Sequence, residues 1–175
     1  MTEPLVPSRL DRSTFLDRFG GIYEHAGWVA EAVWERVRAG ALDDPEALAA
    51  AMAAAVDAAP RERRLALIRA HPDLAGRAAE AGALTAASKA EQTGAGLDRL
   101  TPEQRAAFRT LNQEYKARFG FPFIIAVAGR GPDEILAAFR QRIAHEPEVE
   151  FASALAEIHK IARGRLAKLF GEARP

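Results

Sequence analysis

At 175 residues, with 24 basic and 24 acidic side chains and no cysteine, the chain is sized for one domain and has no net field to hold nucleic acid or an anionic membrane. The missing cysteines exclude disulfides, thiolate metal sites and cysteine nucleophiles. No signal-peptide core opens the chain, its apolar runs at 47–56 and 121–129 are too short to span a membrane, and it lacks a peroxisomal tail, so a cytoplasmic protein is expected.

Residues 1–10 read as an extended lead-in. Ser13 can cap a short helix carrying Phe15, Leu16 and Phe19, which Gly20-Gly21 ends. A helix over about 22–39 follows, with Ile22, Val29, Val33 and Val37 on one face and Gly40 as its stop. Trp28 and Trp34 flank that stripe, and His25 has no partner at a metal-ligand spacing. Asp44-Pro45 is a cap followed by the residue best tolerated at the first helical position. The alanine-rich helix after it ends near Pro60, which starts another towards Ile68 and Arg69. Pro72 disfavours the α region for His71, so that helix stops at the histidine and leaves the imidazole exposed at a junction.

A modest helix after Pro72 breaks around Gly82. Ser88 and Glu91 then fit a capping box, placing a hydroxyl and a carboxylate at a helix start. Thr101-Pro102-Glu103-Gln104 repeats that signature for a helix carrying Phe108, Leu111 and Tyr115, which should end at Gly120. The apolar run 121–127 is too short for a normal helix. No partner strand is visible, so it reads as a buried extended or helical segment whose backbone needs polar partners. Gly131-Pro132-Asp133 opens a helix to Ile143, and a final helix runs over about 148–170. Phe151, Leu155, Ile158, Ala162, Leu166 and Leu169 form its apolar arc. Arg165 lies on the flank of that arc and Arg163 points away. A buried arginine needs an anion: an acidic residue of a neighbouring helix, or a substrate carboxylate or oxyanion gripped by the planar guanidinium. Both readings stand at this point. The fold class expected is all-α, a single compact domain of about eight helices over 1–175.

The chemistry-bearing set is small. No nucleotide-binding glycine fingerprint, His-Glu-x-x-His or Gly-x-Ser-x-Gly is present, and the other histidines sit at no zinc spacing. Proton chemistry on a small polar anion remains, with no cofactor and no metal.

His71-Pro72-Asp73-Leu74-Ala75-Gly76, Ser88-Lys89-Ala90-Glu91-Gln92 and Phe119-Gly120-Phe121-Pro122-Phe123-Ile124-Ile125 occur in the order found in the decarboxylases of 2-oxo-4-hydroxy-4-carboxy-5-ureidoimidazoline (OHCU), and over roughly residues 10–170 the chain resembles that family. The resemblance implies cofactor-free decarboxylation to (S)-allantoin in urate breakdown, by a homodimer. It makes His71 the acid/base, a residue type that titrates near neutral pH. Glu91 would orient His71 or hold the substrate hydroxyl. Ser88 and Gln92 would read the polar edge of the ring and ureido group, with Lys89 and Ala90 between them counted in the same substrate-binding segment. Pro72 and the backbone of Phe123, Ile124, Ile125, Ala126 and Val127 would wall the pocket, and Arg165 would bind substrate oxygens. In one departure, Gly164 stands where the family commonly has leucine, which weakens the helix by about 1 kcal/mol relative to alanine and leaves the support of Arg165 in question. Two alternatives remain: a non-catalytic helical protein binding a small ureide anion, and another ureide enzyme, a hydrolase or racemase.

Overall fold

The computed structural model describes residues 4–172, and among these there are nine α-helices, one turn of 3-10 helix and no strand. The all-α class is therefore observed. The chain divides into two units, one comprising the residues up to Ala70 with those from His159 onward, the other His71–Ile158.

In the first unit the lead-in is not simply extended. Pro7–Arg9 forms a 3-10 turn, and Asp43 fixes it by accepting from the Ser8 backbone N–H at 2.8 Å and its hydroxyl at 2.6 Å. Helix α1 (Arg12–Phe19) is capped by Asp11, whose carboxylate accepts from the Thr14 N–H at 3.0 Å; Ser13, the cap expected, lies inside the helix. Both side chains suit a cap, and the one with extended backbone takes the role. Phe15 and Phe19 stack at 4.7 Å, and Phe15 meets Trp34 at 5.4 Å.

Helix α2 (Trp28–Arg38) starts six residues later than residue 22, where periodicity placed it. Ile22, Tyr23, Glu24 and Ala26 are all buried. Successive positions on a helix point about 100° apart, so three consecutive inward residues cannot share one face. The segment is instead a folded turn, with His25 at φ +51°. Val29, Val33 and Val37 face the core as expected; Trp34 is buried and Trp28 is half-buried beneath the Arg63 guanidinium at 4.1 Å. Neither tryptophan is exposed. Asp44 caps α3 (Pro45–Asp57) through the N–H groups of Glu46 and Ala47, and α4 (Arg61–Arg69) follows Pro60.

The second unit contains α5 (Arg77–Glu80), α6 (Ala86–Gly94), α7 (Pro102–Phe119), α8 (Pro132–Arg142) and the first part of α9 (Pro147–Glu172). The capping box of α7 is complete: Thr101 accepts from the Gln104 N–H while the Gln104 side chain accepts from the Thr101 N–H. Gly120 ends α7 at φ +75°, a left-handed C-cap that glycine adopts without strain. Beyond it, residues 121–127 are neither helix nor strand, and Phe121, Phe123, Ile124, Ile125 and Val127 are buried. Phe123 stacks on Phe139 at 3.9 Å, and the Tyr115 ring meets Phe121, Phe123 and Phe139 edge-on. Aromatic burial of this kind supplies the core of the unit.

Candidate active site

The loop that carries the histidine begins where α4 stops. Ala70 is its C-cap, and Pro72 cannot continue the helix. His71 is only 8% exposed, so the junction encloses the imidazole rather than presenting it to solvent. The rest of the loop is held in one shape by side chains from α6 and α7. Gln92 Oε1 accepts from the Ala75 N–H at 3.0 Å, and its Nε2 donates to Asp73 O at 3.5 Å. Asn112 Nδ2 donates to Leu74 O at 2.9 Å. Lys116, one turn further along α7, pairs with the Asp73 carboxylate at 2.7 Å.

Ala75 adopts φ +49°, a left-handed conformation that a Cβ disfavours by about 1–2 kcal/mol. Gly76 is needed for a different reason. Its φ of −94° is ordinary, but a Cβ there would lie 2.5 Å from Asp73 Cβ.

Helix α6 corrects the capping reading of Ser88. Thr85 is the N-cap, and its hydroxyl accepts from the Ser88 N–H at 3.2 Å, so Ser88 is the third helical residue and Glu91 lies mid-helix. The 86–94 helix is longer than the short turn expected, because Thr85 captures the start and Gly82, at φ +70°, ends the preceding turn. This frame sorts the residues: Ser88 and Gln92 are buried, Glu91 is half-buried, and Lys89 and Ala90 are exposed. Pro72 is half-buried. Lys89 and Gln92 line a cleft of about 230 Å³ with Ala75, Thr93, Leu97 and Arg105. Gln92 was expected to read substrate, yet its carboxamide already binds the loop backbone.

The backbone of Phe123, Ile124, Ile125, Ala126 and Val127 has protein partners of its own. Arg142 Nη1 donates to Ile124 O, and Glu157 Oε2 accepts from the Ala126 N–H at 2.8 Å. Arg142 is anchored in turn by Glu150, which is 0% exposed and accepts from Arg142 Nε at 2.8 Å, from Arg142 Nη2 and from the Tyr115 hydroxyl. His145 Nδ1 lies 3.1 Å from the other Glu150 oxygen. Burial, and then the bond to Glu150, push the Tyr115 hydroxyl well above the ordinary tyrosine range.

Arg165 belongs to the first unit. It is 8% exposed, and its Nη1 donates to Glu24 Oε2 at 2.8 Å and to the carbonyls of Gly21 and Ile22 at 3.3 and 3.4 Å. Glu24, 1% exposed, is thus the anion a buried arginine requires, and it comes from the turn before α2 rather than from a helix. Tyr23, beside it, binds His159 Nδ1 at 2.8 Å, and His159 Nε2 lies 3.1 Å from Asp57. Arg163 is exposed and pairs with Glu46. Gly164 does not interrupt α9.

Sequence reasoning passed over Asn112, Glu24, Arg142, Glu150 and Glu157. Asn112 had a signal: it falls between Phe108, Leu111 and Tyr115 on the buried face of α7, where a polar residue is out of place. Glu24 had none, because the predicted helix hid it.

Among the described residues, no cluster of three or more His, Asp or Glu is placed to hold a metal ion, and no helix is long and apolar enough to cross a membrane. A family model described as OHCU decarboxylase matches residues 8–167. A Haloferax volcanii protein named 2-oxo-4-hydroxy-4-carboxy-5-ureidoimidazoline decarboxylase is 46% identical over 163 residues, 93% of each chain. Among solved structures, (S)-allantoin synthase superposes with a TM-score of 0.74 at 34% identity, over 93% of this chain and 52% of that one. An OHCU decarboxylase crystallised in the presence of (S)-allantoin superposes with a TM-score of 0.59 at 29% identity, over 72% of this chain and 80% of that one.

Proposed function

Because the chain belongs to the OHCU decarboxylase family, we propose that it decarboxylates 2-oxo-4-hydroxy-4-carboxy-5-ureidoimidazoline to (S)-allantoin. The observation that carries this reading is the family match across 8–167 combined with an enclosed His71 on a loop that two helices immobilise. In this reaction the bond from the hydroxyl-bearing ring carbon to its carboxylate breaks, CO2 leaves, and the electron pair forms a double bond to the neighbouring ureido-bearing carbon as the imine electrons pass to nitrogen. The enol so formed ketonises: its hydroxyl gives up a proton to become the ring carbonyl, and the neighbouring carbon receives one proton on one face. The substrate holds its own electrons, so the protein has only to orient the carboxylate, stabilise the developing charge and deliver the proton.

His71 is the acid/base in this reading, and its enclosure keeps bulk water from protonating the other face. Glu91 orients His71 or holds the substrate hydroxyl, and Ser88 binds the polar edge of the ring. Gln92 acts on the substrate through the loop it binds. Pro72 and residues 123–127 form wall and backbone contacts, with the Ala126 N–H offered once Glu157 yields it. By the family resemblance Arg165 binds substrate oxygens, and Glu24 supports that role by fixing one edge of its guanidinium. Arg165→Lys keeps the charge and loses the planar fork, so kcat/KM should fall by about 2–4 kcal/mol in transition-state terms while Arg163→Lys changes little. If Arg165→Lys lowers the melting temperature and leaves kcat/KM intact, the arginine serves Glu24 alone.

The deciding experiment generates the unstable substrate with urate oxidase and the next hydrolase, then follows circular dichroism. An (S)-allantoin signal growing well above the spontaneous racemic background supports the reading. Equal rates with and without the protein would replace it with the ureide-binding alternative, and a signal that decays from preformed allantoin would point to a racemase. A homodimer is expected on the family resemblance, and a cytoplasmic setting on the sequence patterns described above; a monomer mass in light scattering at micromolar concentration would remove the first part.

A further inference from the structure

The Leu74 carbonyl and the Ala75 N–H belong to one peptide group. Asn112, from α7, donates to its oxygen at 2.9 Å, and Gln92, from α6, accepts from its nitrogen at 3.0 Å. A single peptide plane is therefore gripped at both ends by two side-chain carboxamides from different helices. It precedes a non-glycine residue at φ +49°, and rotating that plane would carry Ala75 towards the more comfortable negative-φ region. The strained form persists because both ends are held.

Asn112 is 6% exposed, and its Oδ1 is buried with no hydrogen-bond partner. Its orientation leaves no choice, since only the nitrogen can donate to Leu74 O. A leucine of similar volume would avoid the unsatisfied oxygen, so the asparagine is poor for packing and useful only for the bond it makes. Local rules are broken in this way where the chain must hold a particular site geometry.

We propose that Asn112 is a positioning residue for His71: with Gln92 it locks the 74–75 peptide plane, and through that plane it sets the conformation of the loop on which the imidazole stands. The proposal rests on His71 being the catalytic acid/base.

Two variants remove the donor while differing in polarity, Asn112→Leu and Asn112→Asp. Both should lower kcat by about tenfold or more with KM within about threefold, at a temperature where each retains native helical circular dichroism. Native-state hydrogen exchange supplies a readout independent of activity: the Ala75 amide should exchange at least about tenfold faster in both variants, with core amides such as that of Tyr115 unchanged in Asn112→Leu. A kcat within about twofold of wild type in either folded variant overturns the proposal. So does unchanged Ala75 exchange, or a loss confined to KM. If the wild-type protein fails to accelerate the reaction, the decarboxylase reading fails and the positioning role falls with it, while Ala75 exchange still decides whether the peptide is locked by Asn112.

Discussion

Two stretches of the second unit lack regular structure yet are held still, and they are held by opposite means. The loop His71 to Gly76 is fixed by neutral groups, the carboxamides of Gln92 and Asn112, with one ion pair, Lys116 to Asp73, at its rim. Residues 121–127 are fixed by charge: Arg142 on the Ile124 carbonyl, Glu157 on the Ala126 N–H, and fully buried Glu150 behind Arg142. A carboxamide asks little for its desolvation and gives a modest net contribution. A buried carboxylate and guanidinium each lose far more hydration, and the pair is viable only while both partners remain. The loop should therefore be a place where substitutions disturb rate before stability, and the 121–127 segment a place where they disturb stability first.

The largest expected effect falls on the loop and is kinetic. His71→Asn should reduce turnover by about 10²–10⁴-fold, the range of a lost general acid/base, with the helical spectrum retained. Collapse of that spectrum would make the histidine a packing residue and erase the distinction. Next comes Glu150→Gln, which strands Arg142 and should reduce unfolding free energy by roughly 3–5 kcal/mol in urea titration. A loss below about 1 kcal/mol would place this network with ordinary surface pairs.

A third test uses pH. Tyr115 holds its proton more tightly in the folded chain than in the unfolded one, because burial and Glu150 disfavour the phenolate. Its contribution is fully present below the unfolded value of about 10 and is lost as pH rises beyond it, by up to about 1.4 kcal/mol per pH unit. Tyr115→Phe should flatten that alkaline limb in part; Tyr23, raised by burial and by Asp57, supplies the remainder. An unchanged slope would mean that Tyr115 ionises as readily in the folded chain as in the unfolded one. The smallest effect belongs to the loop's rim, where Lys116 is half-exposed: Lys116→Met should shift stability by about 1 kcal/mol or less, and less still in high salt.

What the sequence disclosed and what it withheld follow the same division between local and distant causes. Thr101 with Gln104, Asp44 before Pro45, and Gly120 after α7 are decided within four residues, and each is found where the pattern places it. His71 before Pro72 is equally local, and the helix stop there is real. Ser88 misled because Thr85, three residues earlier, offers an equivalent hydroxyl, and nothing nearby ranks the two. The start of α2 misled because Glu24 is drawn inward by Arg165, 141 positions along the chain. Periodicity cannot register an ion pair of that span. The chemical residues of the motif were legible as letters, but the enclosure of His71, the commitment of Gln92 to the loop backbone and the whole Arg142–Glu150 network depend on contacts made only after the helices pack.

Ala75 fixes a narrow alphabet at its position. Glycine should be close to neutral there, since the relief of a left-handed Cβ is offset by the roughly 0.4–1 kcal/mol of added freedom in the unfolded chain. Asparagine and aspartate tolerate the conformation, whereas valine, isoleucine and threonine do not. A half-buried alanine would ordinarily admit many replacements. In a saturation library this codon should accept four letters and reject the branched ones, a fingerprint of backbone shape that neither burial nor charge would have forecast.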